Sequence, residues 1–318
     1  MLKKFDVLCI GSAVVDHFLE TQEKFKEIKL GDKVLVKNLE VHSGGGATNA
    51  AAALSKMGLK VKMLTKLGMD KEADFVLNEM KQYSVKNICL HRSKKGTNFS
   101  ALITSEKEKD RVIYAYKGAS QDLSLNDFKK SQLRARWIYL GSLMGKSLQT
   151  AKQIVQDAKK KKIKIFFNPS LYLAKNNKLL KSILEATSIL VLNKEEAQAL
   201  LGKKTQSYKQ LLLGLHKFGP ETVIITNGPK ILYASYEDGF YSILPPNVKV
   251  KHTAGAGDSF NSGFLAGIIK KYSFEDSLKF GIANSLSVIQ HVGTKNKLLN
   301  EKEALQVIKK YKLRVKKC

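Results

Sequence analysis

The run Lys251-His252-Thr253-Ala254-Gly255-Ala256-Gly257-Asp258-Ser259-Phe260 sets an acid directly after a turn of small residues and directly before an apolar helix pattern. Gly255 and Gly257 let backbone N–H groups approach a ligand closely, and a helix starting there adds unpaired donors and the positive end of its dipole. An anion is expected to dock at that point. Asp258 falls in the first helical turn, within reach of the same point, where a carboxylate can take the proton from an attacking hydroxyl. Turn and base together read as a phosphoryl-transfer site. Taken by itself the run also reads as an ordinary glycine loop with an acidic helix start. It is neither the G-x-x-x-x-G-K-[ST] loop nor a G-x-G-x-x-G fingerprint after a strand, so those two nucleotide folds lose ground.

Such a site needs a scaffold, and the hydrophobic pattern supplies one. Apolar runs at 5–10, 62–65, 137–140, 163–167, 189–192 and 223–226 read as buried strands, alternating with helix patterns near 48–57, 72–83, 148–160, 194–201 and 207–218. That rhythm predicts a mostly parallel sheet covered on both faces. Ligands bind such sheets at the carboxyl ends of the strands, where this chain carries most of its chemically capable residues: Gly11 to Asp16, Gly68 to Asp70, Gly141-Ser142, Asn168-Pro169, Asn193 to Glu196 and Thr226 to Gly228. Two stretches break the rhythm. One is a probable-hairpin pattern, β-rich runs 97–104 and 111–116 about the polar turn 105–110; the other is 17–42, where Lys33-Val34-Leu35-Val36 precedes Leu39-Glu40-Val41 without helical periodicity. Together they predict a small β lid, formed by about 17–42 and 97–117, over the ligand. A lid suits phosphoryl transfer, which must exclude water as a competing acceptor.

A chain of 318 residues with 43% hydrophobic content can bury a large core, and 1–318 reads as one domain with an appendage. No run approaches a membrane span, no signal peptide pattern opens the chain, and the cytoplasm is the expected location. Cys9, Cys89 and Cys318 are far apart and form no C-x-x-C pair, which indicates neither a disulfide framework nor a zinc site. The net charge of +27 raises a polyanion as partner. The excess is nearly all lysine, however, with arginine only at 92, 111, 134, 136 and 314, whereas base and phosphate recognition leans on bidentate arginine. No specific nucleic acid and no membrane are expected as partners.

Three segments together resemble the signatures of the ribokinase-like, or PfkB, carbohydrate kinase family, and the likeness runs through nearly the whole chain. They are Ser43-Gly44-Gly45-Gly46-Ala47-Thr48-Asn49-Ala50-Ala51-Ala52 continuing to Leu67-Gly68-Met69-Asp70, the N-x-x-E element Asn193-Lys194-Glu195-Glu196, and Thr253-Ala254-Gly255-Ala256-Gly257-Asp258. The resemblance implies a three-layer α/β sandwich with a mostly parallel central sheet and a small β-sheet lid. It also implies ATP-dependent phosphorylation of a hydroxymethyl group of a sugar. By the same resemblance Asp258 is the general base and Gly255, Ala256 and Gly257 form the anion hole, with both glycines expected to resist any side chain. Glu196 corresponds to the acid that holds Mg²⁺ through water, Asn193 lies near the phosphates, Thr226 and Gly228 lie against the nucleotide, and Asn284 falls near adenine or ribose. Asp16 and Asn49 match groups that hydrogen-bond sugar hydroxyls, Gly44 and Gly45 let the backbone approach them, and Asp70 is a further acceptor-side candidate. Where the family signature has an Asp, this chain has His252, which bears on the monovalent-cation site that several relatives build beside the anion hole.

Val14 and Gly46 stand where ribose-specific members carry Asn and Lys, so the acceptor is left open. A nucleoside is the alternative within the same chemistry, its base stacking on Phe99, Leu102, Tyr114 or Tyr116 of the lid. An alternative of another class is a catalytically silent nucleotide- or sugar-binding protein, against which the presence of both Asp258 and Glu196 counts. Relatives often pair through their lids, and the exposed hairpin edge here points to a possible homodimer.

Overall fold

The computed structural model describes residues 5–108, 110–205 and 207–317. Within them the chain runs β1 (Phe5–Ile10), β2 (Val14–Thr21), β3 (Asn38–Gly44), α1 (Gly46–Lys56), β4 (Val61–Leu64), α2 (Lys71–Gln82), β5 (Lys86–Asn87), β6 (Asn98–Ser105) and β7 (Asp110–Tyr116). It continues through β8 (Ala135–Leu140), α3 (Gly145–Lys160), β9 (Lys164–Phe167), α4 (Leu171–Lys175), α5 (Lys181–Leu184), β10 (Ile189–Asn193), α6 (Lys194–Leu201), α7 (Tyr208–His216) and β11 (Thr222–Thr226). The last part is β12 (Leu232–Tyr236), β13 (Gly239–Ile243), α8 (Ala256–Ile269), α9 (Phe274–Ile289), α10 (Glu301–Lys310) and β14 (Val315–Lys317).

Ten strands form the central sheet among the described residues, in the order β14-β13-β12-β11-β10-β9-β8-β1-β4-β5. Neighbours from β11 through to β5 are parallel, and β12, β13 and β14 add an antiparallel edge. The parallel strands read as unbroken apolar runs because both of their faces are covered. Alternate residues divide between two cores, as the two-residue period of a strand requires. Val7, Cys9, Met63, Tyr139 and Phe166 face the layer of α1, α2, α8, α9 and α10, while Leu8, Ile10, Ile138, Leu140 and Phe167 face α3 to α7. The result is the three-layer arrangement expected from the sequence. In the first layer α8 lies backbone against backbone on α9, since a Cβ on Gly263 would meet the Phe280 carbonyl oxygen at 2.6 Å.

The small sheet has the order β3-β2-β6-β7. Its central pair β2 and β6 is parallel and its outer pairs are antiparallel. β2 begins at Val14, so Asp16 stands on this sheet itself, paired with Ser100 on β6 and His42 on β3. Residues 33–36, expected to be extended β, join no strand and are largely exposed; the Leu35 carbonyl accepts instead from the Thr21 hydroxyl at 3.1 Å. β7 is exposed along its whole length.

Candidate active site

Helices α1 and α8 lie side by side with their first turns together, and this brings distant residues into contact. The Asn49 Nδ2 donates to Asp258 Oδ2 at 2.8 Å across 209 residues of chain. The Tyr139 hydroxyl, on β8, donates to the other carboxylate oxygen at 3.3 Å and itself accepts from Asn261 Nδ2 at 3.3 Å. Burial pushes the Asp258 carboxyl above the usual carboxylate range, while the bonds from Asn49 and Tyr139 and the charge of Lys295 pull it back. A carboxylate whose proton affinity is raised is a better proton acceptor than an ordinary exposed one.

The turn before Asp258, expected to take an anion, is built around Gly255. Gly255 is the N-cap of α8 at φ 80°, a left-handed conformation that disfavours any side chain. A Cβ there would also meet the Thr294 carbonyl oxygen at 2.5 Å. Gly257 differs from expectation: a Cβ on it would meet nothing within 4 Å, because it faces outward on the first turn of the helix. The fold therefore tolerates a side chain at 257 and excludes one at 255. His252 holds the entrance of the turn, its Nδ1 accepting from the Ala254 N–H at 3.1 Å. Burial, then the charges of Arg111 and His42, hold this imidazole below its ordinary value, which keeps it neutral with Nδ1 as acceptor.

On the opposite side of Asp258 stand the residues expected to bind the acceptor. Asp16 is 9% exposed, and burial raises its carboxyl although Ser100, Lys295, Lys117 and His42 act against the shift. Gly44 is required by this carboxylate, since a Cβ would sit 2.1 Å from Asp16 Oδ2. Gly45, at φ 97°, caps α1. Asn49 accepts at Oδ1 from the Thr294 hydroxyl at 2.9 Å, which leaves its NH₂ group turned to Asp258. Asp70 is elsewhere engaged. It caps α2 by accepting from the Ala73 N–H at 2.9 Å and also accepts from the Thr97 hydroxyl at 2.6 Å. Burial would raise its carboxyl, but those bonds and Arg92 outweigh it and hold it low, as befits a structural cap.

At the carboxyl ends of β10 and β11 lie the residues expected near the nucleotide. Asn193 and Glu196 form a reciprocal capping box on α6, with Asn193 Oδ1 accepting from the Glu196 N–H and Glu196 Oε2 accepting from the Asn193 N–H, each at 2.8 Å. Burial pushes Glu196 up to about 7, helped by the charges of Glu195 and Asp258 and opposed by backbone N–H groups of Asn193 and Leu171. Thr226 ends β11 and its hydroxyl donates to the Leu192 carbonyl at 3.4 Å, while Gly228 lies exposed at φ 56°. Asn284 is not brought to this surface. It is fully buried, donating to the Ser259 carbonyl at 3.0 Å and accepting from the Leu299 N–H at 3.1 Å; both ends of its amide tie α9 to its neighbours.

Among the described residues no cluster of three or more His, Cys, Asp or Glu side chains could cage a metal ion. The site offers instead one carboxylate of raised proton affinity beside other negative charge. That donor set fits a hydrated Mg²⁺ that takes most ligands from water and phosphate oxygens. Four contributors went unrecognised in the sequence: Tyr139, Ser43, Thr294 and Lys295. Tyr139 lies inside an apolar strand run and Lys295 among 50 or so lysines, so neither carried a local signal. A concavity of about 370 Å³ is lined by Tyr208, Lys209, Leu212, Tyr233, Phe240 and Tyr241, none of them a residue of the site around Asp258.

Comparison with known proteins places these observations. A family model described as pfkB family carbohydrate kinase matches residues 4–301. A ribokinase of Haemophilus influenzae is 25% identical over 303 residues, 94% of this chain and 97% of the relative. The solved structure of Arabidopsis thaliana ribokinase complexed with ribose and ATP superposes with a TM-score of 0.81 at 19% identity, covering 96% of this chain and 99% of that one. The nucleoside kinase of Methanocaldococcus jannaschii gives a TM-score of 0.79 at 18% identity, with 96% and 99% coverage. At these identities the structural likeness establishes the fold.

Proposed function

The chain belongs to the pfkB family of carbohydrate kinases, an ATP-dependent sugar kinase, and from that premise we propose that it phosphorylates a hydroxymethyl group of its acceptor with Asp258 as the general base. The observation that supports this reading best is the 2.8 Å bond between Asn49 and Asp258, since an amide proposed to hold the acceptor then lies against the proposed base. Asn49 and Asp16 hold the acceptor hydroxyls, an amide and a carboxylate being apt partners for groups that both donate and accept. Asp258 takes the proton from the attacking oxygen, and the backbone amides from Gly255 to Gly257 receive the charge on the transferred phosphoryl group, the Ala254 N–H being taken by His252 Nδ1 and the Ala256 N–H leaving its 3.3 Å bond to the Thr253 carbonyl. Asn193, Thr226 and Gly228 flank the nucleotide, with Asn284 supporting the helices from within. Glu196 would hold Mg²⁺ through water, and the ion would supply neutralisation of phosphate charge. The small sheet acts as the lid, its Asp16 face turned to the cleft.

A sugar fits this cleft better than a nucleoside. Phe99, Tyr114 and Tyr116, the expected stacking residues, alternate onto the face of the small sheet opposite Asp16 and Ser100; Leu102 alone of the four shares the Asp16 face. That opposite face also carries Leu39, Val41, Val112, Tyr114 and Tyr116, all exposed. We read it as the surface on which a second copy of the chain pairs, since a contiguous apolar face of this kind marks an interaction site. Parallel ATP-dependent phosphorylation of ribose, fructose, adenosine, inosine and cytidine tests the acceptor. A sugar as best acceptor is expected; exclusive turnover of nucleosides overturns the sugar reading, and no turnover of any acceptor points to the silent binding protein.

A further inference from the structure

One charged side chain inside the molecule has no part in the scheme above. Lys295 is 5% exposed, and its ammonium sits where three distant segments meet. It donates to the Ser43 carbonyl, to the Ser43 hydroxyl at 2.8 Å and to Asn49 Oδ1 at 3.4 Å, all on the stretch that carries Gly44 and Gly45. On α2, Glu79 Oε1 lies 3.4 Å away. The hydroxyl of Thr294, the adjacent residue, lies 2.9 Å from Asn49 Oδ1 and 3.0 Å from the Ser43 carbonyl, its one proton shared between them, while its own carbonyl packs under Gly255. Removing a lysine from water costs several kcal/mol that packing alone does not return. The arrangement around Nζ points to what the charge does.

We propose that Lys295 is a positioning residue for the phosphoryl-transfer reaction, an internal cation that fixes the rotamer of Asn49 and the Gly44–Gly45 backbone against Asp258. The proposal rests on the function given above. With Oδ1 of Asn49 taken by Thr294 and Lys295, only its NH₂ group can face Asp258, so the amide cannot flip. With the Ser43 carbonyl held, the glycine pair that follows is pinned beneath Asp16. Glu79 balances the ammonium from the far side. The charged and titratable groups facing Asp258 are Lys295, Glu196, Tyr139 and Cys9, and those facing Lys295 are Glu79, Asp16 and Asp258. Lys295 is the one cation among these groups, so its loss leaves Asp258 without a counter-charge, whereas Asp16 keeps Lys117 and His42.

The test compares the full chain with Glu79→Gln, Lys295→Met and the double variant. Lys295→Met alone strands the half-buried Glu79 carboxylate and should lose stability, whereas removing both partners of an internal pair is often neutral. The double variant is therefore expected to unfold near the parental urea midpoint. Its kcat/KM for the best acceptor of the panel should nonetheless fall about 10- to 100-fold, as small misplacements of a reacting pair do, with the KM for ATP held within about twofold.

A second measurement needs no turnover. The stability difference between each protein and its Asp258→Asn counterpart is followed from about pH 4 to about pH 8. Because burial raises Asp258 in the folded state, its contribution is present at low pH and is lost as pH rises from the unfolded value to the folded one. Without the Lys295 charge that loss should move upward by about half a pH unit or more. A double variant with parental kcat/KM and an unmoved midpoint overturns the proposal and leaves Lys295 as a packing residue. Should the parent phosphorylate no acceptor, the function above fails, and the pH midpoint alone decides on Lys295: moved supports it, unmoved sinks it.

Discussion

Asp258 and Glu196 are both lifted by burial, yet the partners around them assign different tasks. Asp258 faces an amide and a phenol that can steady a carboxylate while it takes a proton. Asp258→Asn keeps those shapes and removes the base, so kcat should fall about 100- to 10,000-fold while the dissociation constant for ATP, read by calorimetry, changes little. Glu196 titrates at about 7. Its carboxylate has to be ionised to meet a divalent cation, so apparent Mg²⁺ affinity should rise with pH up to that value and level off above it. The sign for folding is opposite: a raised acid contributes stability at low pH that is lost as pH climbs through about 7. Melting curves of the free protein should accordingly fall across that window, and Mg²⁺ with ATP should restore them. His252 supplies a neutral imidazole whose Nδ1 is already bonded to the Ala254 N–H, a poor ligand for an alkali cation. Exchange of potassium for tetramethylammonium is expected to leave kcat unchanged, and a loss of more than about tenfold would show an alkali-ion site built from other groups. At this scale the sequence revealed the acid and the turn because they fall in one short run. It concealed Tyr139 and Lys295, whose roles arise only from contacts with residues more than 100 positions away.

The turn between His252 and α8 shows how an element sets limits that a motif does not. Gly255→Ala would need a left-handed φ and would press a methyl group on the Thr294 carbonyl, a cost of about 1–3 kcal/mol in strain before any clash. Its urea midpoint should drop clearly. Gly257→Ala should fold as the parent does, since nothing lies within 4 Å of the new methyl, and lose activity through crowding of the phosphate; equal destabilisation by both variants would contradict this geometry. The strands of the main sheet were legible from their apolar runs because both faces are buried. The antiparallel strands β12, β13 and β14 were not, since each is short and serine, glycine or lysine interrupts its apolar run, as in Leu232-Tyr233-Ala234-Ser235-Tyr236 and Gly239-Phe240-Tyr241-Ser242-Ile243. Segment 33–36 has β-forming residues without a partner strand, and propensity does not make a ladder by itself.

Across the whole molecule the two sheets divide the labour, the large one presenting strand ends and helix starts and the small one presenting Asp16. The outward face of the small sheet is predicted to pair with a second copy. Tyr114→Glu together with Val112→Asp should turn a dimer into a monomer in sedimentation velocity; an unchanged species, or a parent already monomeric, would remove that interface. The three-layer arrangement could be read from the strand and helix rhythm, whereas the closeness of α1 to α8 could not, because periodicity says which face a helix buries and not which neighbour it meets. That closeness has a further effect. The contact between Asn49 and Asp258, steadied by Thr294 and Lys295, joins early and late parts of the chain. Because Ser43 and Asn49 take their partners from Thr294 and Lys295, a chain cut before those two residues is expected to lose the shape of the acceptor side as well as the contact with Asp258.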